Sequence, residues 1–217
     1  NTMDPKTLPL PEFFKQKYSN FPSLTPIQAK TVEAGLLNNR SILACAPTAS
    51  GKTLVATMAI SNTLGKGKSI YLVPLKALAN EKYKEYQTLL QDTPYKVTIA
   101  TGDVDSDSSY LGNYDLLILT TEKLDSLLRH QISWINQVKT VVIDEIHLLN
   151  DSTRGPTLEI VLTILKSIIK PQLIGLSATI GNPEALANWL GATLVQDDWR
   201  PVELKKGIRS PESLQWY

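Results

Sequence analysis

Two short stretches hold residues whose types and spacing could do phosphate chemistry together. The first, "CAPTASGKT" from Cys45 to Thr53, closes like a phosphate-binding loop, although Ala46 stands where the G-x-x-x-x-G-K-[ST] pattern has its first glycine. The expected nucleotide-binding loop is Ala46, Pro47, Thr48, Ala49, Ser50 and Gly51, whose backbone N–H groups, absent at Pro47, can point at phosphate oxygens. Lys52 then reaches the β- and γ-phosphates and the Thr53 hydroxyl ligates magnesium. The second stretch, "TVVIDEIHLL", sets Asp144 and Glu145 at the end of an apolar run. Asp144 suits the magnesium shell, and Glu145 can orient and deprotonate an attacking water, so the pair implies hydrolysis. An acidic strand end alone is common in α/β proteins; it gains meaning beside the loop. His147 is either structural or couples the site to a neighbouring domain.

These residues need a scaffold, and the pattern around them supplies one. Short β-branched runs start at Ser41, Ser69, Lys96, Asp115, Thr140 and Gln172, with stretches of helical period between them. Alternation of this kind predicts βαβ units around a mostly parallel sheet with helices on both faces. The expected helices run over 26–37, 52–64, 75–90, 122–130, 157–168 and 183–190. Thr25-Pro26 and Asn182-Pro183 are N-caps followed by proline, and Lys170-Pro171 stops a helix. The loop therefore lies between a strand and a helix, as phosphate binding requires.

Composition narrows the class. The chain of 217 residues is 42% hydrophobic and 20% charged, the balance of an ordinary globular protein. Lys and Arg total 22 against 21 Asp and Glu, so any nucleic-acid contact must come from a local face. No run approaches the ~18 apolar residues of a membrane span, and the start has no signal-peptide core, which reads as a cytoplasmic protein. One cysteine excludes an internal disulfide and a cysteine-based metal cluster, and with two histidines little remains for zinc. Cys45 reads as a small core residue, and Trp134, Trp189, Trp199 and Trp216 as packing or interface residues.

"DEIH" together with "APTASGKT" resembles the nucleotide-binding half of a superfamily 2 helicase, a superfamily in which alanine commonly opens the loop. Further motifs stand in the expected order. "LTPIQ" resembles the adenine-reading motif, which implies Gln28 as a base contact. "PLKALAN", "TGD" and "TTEK" resemble the strand-binding motifs, which implies nucleic-acid contacts at Pro74, Lys76, Thr101, Gly102 and Thr121. Taken singly, "TGD" reads as a turn and "TTEK" as a helix cap. "SAT" resembles the motif that links hydrolysis to strand handling, implying interdomain coupling through Ser177, Thr179 and His147.

"DEIHLLNDSTRGPTLE", "GLSATIGNPEALANWLGA" and "DWRPVEL" are similar to the superkiller-like branch, most of all to its archaeal DNA-repair helicases of the Hjm type. The resemblance runs from Pro22 to Leu204. It implies a RecA-like P-loop domain that binds ATP and magnesium and translocates 3′ to 5′ on single-stranded or forked DNA. A second RecA-like domain of the same chain, with its arginine fingers, and a monomeric state belong to the same expectation. The domain reading is an extension over 1–20, the first motor domain over 21–200 and a linker over 201–217 that includes "KKGIR". Arg154 either contacts a strand or fixes the loop after the acidic motif. An RNA helicase of the same branch, a non-helicase P-loop ATPase and a scaffold module without turnover are the rival readings.

Overall fold

The computed structural model describes residues 3–102, 108–150 and 155–201. Its centre is a sheet of seven strands: β1 (Ile42–Cys45), β2 (Lys68–Val73), β3 (Val97–Ala100), β4 (Leu116–Thr120), β5 (Val138–Ile143), β6 (Gln172–Ser177) and β7 (Thr193–Gln196). They lie in the order β3-β4-β2-β5-β6-β1-β7, and every neighbouring pair is parallel. Parallel neighbours require crossovers. Helices α1 (Glu12–Lys17) and α2 (Pro26–Glu33) precede β1, whereas α3 (Lys52–Thr63), α4 (Lys76–Leu89), α5 (Thr121–Arg129), α6 (Gly155–Ile168) and α7 (Pro183–Leu190) each lie in a connection between strands.

Alternation along each strand divides the interior into two cores, one per face. Ala44, Tyr71, Ile118, Val142 and Ile174 join α3 and α4 on one face, while Leu43, Leu72, Leu117, Val141 and Leu173 join α5, α6 and α7 on the other. The central strands β1, β2, β4 and β6 are buried at every position, as expected of a sheet covered on both sides. Because all strands run the same way, the segments that follow them emerge along one edge. Open parallel sheets gather their ligands at that carboxyl-terminal edge.

The architecture agrees with the expected fold, with local differences. The predicted helix over 26–37 ends at Glu33, because Gly35 takes φ 102° and Leu36–Asn38 continues as a short 3-10 turn. The edge strand β7 and the helix α1 were not expected from the sequence. Residues Leu8, Leu10 and Phe14, from the segment read as an extension, are buried in the same cluster as α3. Pro201 is the last described residue of the tail. The rest of the expected linker, Trp216, Asp103 of "TGD" and Arg154 lie outside the described residues.

Candidate functional site

The phosphate loop begins as a continuation of β1: the Ala46 N–H donates to the Ser177 carbonyl at 3.1 Å, and Ala46 is fully buried. Its turn is made further on, where Ala49 and Gly51 adopt φ 69° and 91°. Helix α2 holds the loop from the side. The Thr25 hydroxyl donates to the Ser50 carbonyl at 2.8 Å, and Gln28 Nε2 donates to the Gly51 carbonyl at 2.9 Å. Gln28 Oε1 also accepts from the Thr25 N–H at 2.9 Å, which caps α2. Gln28, expected to contact a base, is thus 4% exposed with both amide atoms engaged on the loop and the cap.

Lys52 opens α3 and turns its ammonium into the loop, donating to the Ala46 carbonyl and, at 3.0 Å, to the Pro47 carbonyl. Burial pulls this ammonium below the usual lysine pKa, and the charges of Glu145 and then Asp144 pull it back up. The lysine and the acidic pair therefore share one electrostatic site. Thr53 follows in the first turn of α3 with its side chain exposed.

The acidic residues follow β5. The Asp144 N–H donates to the Leu72 carbonyl at 2.9 Å, and Asp144 Oδ1 accepts from the Glu145 N–H at 2.9 Å. Asp144 Oδ2 accepts from the Tyr71 hydroxyl at 2.7 Å. Glu145 has φ 51°, a left-handed conformation that costs a non-glycine residue on the order of 1–2 kcal/mol and is concentrated at functional sites. Its exposed carboxylate lies 3.0 Å from His147 Nε2, while His147 Nδ1 accepts from the Ala178 N–H at 3.2 Å. That acceptor role puts the proton on Nε2, where it faces Glu145. Residues 177–179 thereby touch both the phosphate loop, through the Ser177 carbonyl, and the acidic motif, through Ala178. Thr179 itself is exposed.

The residues expected to meet nucleic acid occupy the same edge at its other end. Pro74 and Lys76 follow β2, Thr101 and Gly102 follow β3, and Thr121 opens α5 after β4. Thr120 caps that helix by accepting from the Lys123 N–H at 3.3 Å, so the cap reading of "TTEK" holds. Pro74 and Thr121 share a cavity of about 20 Å³ with Asp144 and Glu145, enough for about one water molecule. Elsewhere, Cys45 is 4% exposed and burial raises its thiol pKa, in keeping with a core residue. Trp134 is buried, whereas Trp189 and Trp199 are exposed.

Tyr71, the bond from Thr25 to the loop and the left-handed backbone of Glu145 were not expected from the sequence. A tyrosine within the aliphatic run "SIYLV" was a signal, since a buried phenol needs a hydrogen-bond partner. Burial, then the neighbouring Tyr86 and Asp144, hold its phenol well above the usual tyrosine pKa, so it donates.

The donor set fits nucleotide with magnesium. Thr53 and Asp144 offer hard oxygen atoms, and no cluster of three metal-ligating side chains exists among the described residues. A cation held by few protein oxygens and completed by phosphates is the magnesium pattern. The buried Ser50 hydroxyl in the loop has no partner, a polar atom left over at the place where phosphate oxygens would come.

A parallel α/β sheet with a lysine-closed loop after one strand and an acidic pair after another defines a RecA-like P-loop nucleotide-binding domain. A sequence profile of the DEAD/DEAH box helicase family matches residues 25–186, and the chain belongs to that family. It is 54% identical to the ATP-dependent DNA helicase Hel308 of Methanocaldococcus jannaschii over 201 residues, covering 89% of this chain and 17% of the relative. Hel308 of Pyrococcus horikoshii is 54% identical over 187 residues, covering 85% of this chain and 26% of the relative. The chain thus spans about a quarter or less of these relatives' length. Among solved structures, the DUF1998 helicase MrfA bound to DNA superposes with a TM-score of 0.74 at 25% identity over 91% of this chain and 32% of that one. MrfA alone gives a TM-score of 0.76 at 26% identity over 88% and 33%.

Proposed function

We propose that this chain is the first motor domain of an ATP-dependent 3′ to 5′ DNA helicase that works in repair and fork processing. The supporting observation is the meeting of Lys52, Asp144 and Glu145 at one sheet edge, with His147 tying Glu145 to the 177–179 segment. In this reading Lys52 exchanges the Ala46 and Pro47 carbonyls for phosphate oxygens, and the N–H groups of Thr48, Ala49 and Gly51 in the loop orient the triphosphate. Thr53 and Asp144 would hold magnesium, which when bound neutralises charge on the β- and γ-phosphates. Glu145 accepts a proton from the attacking water, and His147 keeps its carboxylate oriented. Gln28 acts through its grip on Gly51, and any base contact uses the same amide.

Movement needs a partner surface. A second RecA-like domain facing this edge supplies the arginines that complete hydrolysis, and Ser177, Thr179 and His147 transmit the state of the nucleotide to it. The strand lies over Pro74, Lys76, Thr101, Gly102 and Thr121, held through phosphates and so largely independent of sequence. The names of the relatives that share half its residues favour DNA over RNA. Among the described residues no helix is long and apolar enough to cross a membrane. A cytoplasmic location and a monomeric state belong to the same proposal.

Phosphate release tests the proposal, measured on the chain alone and on the chain joined to a second motor domain. Turnover is expected to be weak for the chain alone. In the joined protein, single-stranded DNA is expected to stimulate it at least tenfold. Stimulation by RNA but not DNA would move the reading to an RNA helicase, and indifference to both would leave a plain P-loop ATPase.

A further inference from the structure

Behind the two oxygen donors Thr53 and Asp144 stands a buried column of hydroxyls and rings that the proposed reaction does not otherwise use. Tyr71, fully buried on β2, pairs in register with Val142 of β5. Asp144 lies one pleat period further on, on the same face, and the phenol is long enough to reach it. Its hydroxyl donates to Asp144 Oδ2 at 2.7 Å, a length typical of a charge-assisted O–H···O bond. The Tyr71 ring packs against Tyr86 of α4, with centroids 5.6 Å apart and planes at 55°. The Tyr86 hydroxyl lies 3.0 Å from Thr57 Oγ1, and the Thr57 hydroxyl donates to the Thr53 carbonyl at 3.2 Å. Since Thr57 gives its single proton to Thr53, Tyr86 donates to Thr57.

We propose that Tyr71 is a positioning residue that fixes the Asp144 carboxylate, backed by Tyr86 and Thr57 so that the aspartate and Thr53 keep a constant separation. The inference rests on Asp144 holding magnesium with nucleotide. One oxygen of Asp144 is bound to Tyr71 and the other to the Glu145 N–H, so the carboxylate plane cannot turn without breaking a bond. Each oxygen keeps a second lone-pair site for a cation. Residues that orient a metal-binding carboxylate typically change metal affinity about 10- to 100-fold when lost. The fold gains little by comparison, because a phenylalanine would fill the same space beside Tyr86.

The test reads metal binding rather than turnover. A ribose-labelled fluorescent ATP analogue is titrated onto the chain in EDTA and then across a magnesium series. Tyr71→Phe is expected to leave affinity in EDTA within about twofold and to raise the magnesium midpoint about tenfold. Tyr86→Phe, which keeps the Tyr71 hydroxyl, should move the midpoint less than about threefold. In an Asp144→Asn background, Tyr71→Phe should move it no further. Tyr71→Met, flexible enough to fill part of the space and without a hydroxyl, repeats the experiment if the phenylalanine variant does not fold. An unchanged midpoint in Tyr71→Phe, or an equal shift in Tyr86→Phe, overturns the inference alone. A wild-type chain whose nucleotide binding ignores magnesium overturns the nucleotide reading, and the inference with it.

Discussion

The two ends of the carboxyl edge are built on different plans. Beyond β1, β5 and β6, each segment is bonded to another: Ala46 to Ser177, Ala178 to His147, His147 to Glu145, and α2 to Ser50 and Gly51. Beyond β2 and β3, Lys76 and Gly102 are exposed. Among the described residues no side-chain hydrogen bond joins the turn at Pro74–Lys76 to the one at Thr101–Gly102. The difference suits what each end is proposed to hold. Hydrolysis needs donors and a base fixed to fractions of an ångström, whereas a phosphate backbone of any sequence needs only a surface that follows it.

That contrast can be broken in order of effect. Glu145→Gln or Lys52→Ala is expected to lower strand-stimulated phosphate release by about 100- to 10,000-fold when the chain is joined to a second motor domain, since each removes a separate chemical role. Near-normal turnover in either variant would dissolve the braced end as a catalytic site. Gly51→Ala comes next. A side chain at φ 91° is strained, and its Cβ would collide with Gln28 Nε2. Nucleotide affinity should fall about tenfold and stability by about 1–3 kcal/mol, read by titration and thermal unfolding.

The remaining tests separate the two ends. His147→Ala cuts the tie between Glu145 and Ala178, so stimulated turnover should drop about tenfold while nucleotide affinity holds within about twofold; parallel losses in both would make the histidine a fold element. Lys76→Ala should weaken single-strand binding a few-fold, equally across sequences, and lower the salt slope by about one, with nucleotide affinity untouched. A sequence-dependent loss would mean that this end reads bases.

Six of the seven strands were legible in the sequence, but not which of them are neighbours. Asp144 and Glu145 were legible at the end of an apolar run, and Lys52 within its Gly-Lys-Thr motif. The contacts of Tyr71 and Thr25 were not. Their partners, Asp144 and Ser50, are 73 and 25 positions away and become adjacent only through the order β2-β5 and the packing of α2 on the loop. The strand β7 was hidden by its place at the sheet edge, where "TLVQ" is four residues long and only Val195 is buried. Helix α1 spans six residues between prolines and loops, too few for a helical period to show. Glu145 carries no mark of its backbone strain, because glutamate gives no local hint of a left-handed turn.

Ala46 has a wider consequence. It lies in the sheet's hydrogen-bond ladder with negative φ, so nothing in its backbone calls for glycine, while the left-handed position is taken by Ala49. The loop turns at Ala49 and Gly51, and a threonine and a glutamine of a neighbouring helix clasp it there. A pattern search keyed to the opening glycine passes over proteins built this way. One keyed to a distant Thr-x-x-Gln pair able to clasp the turn would retrieve them, and grafting that pair is a route to installing such a loop in an unrelated sheet.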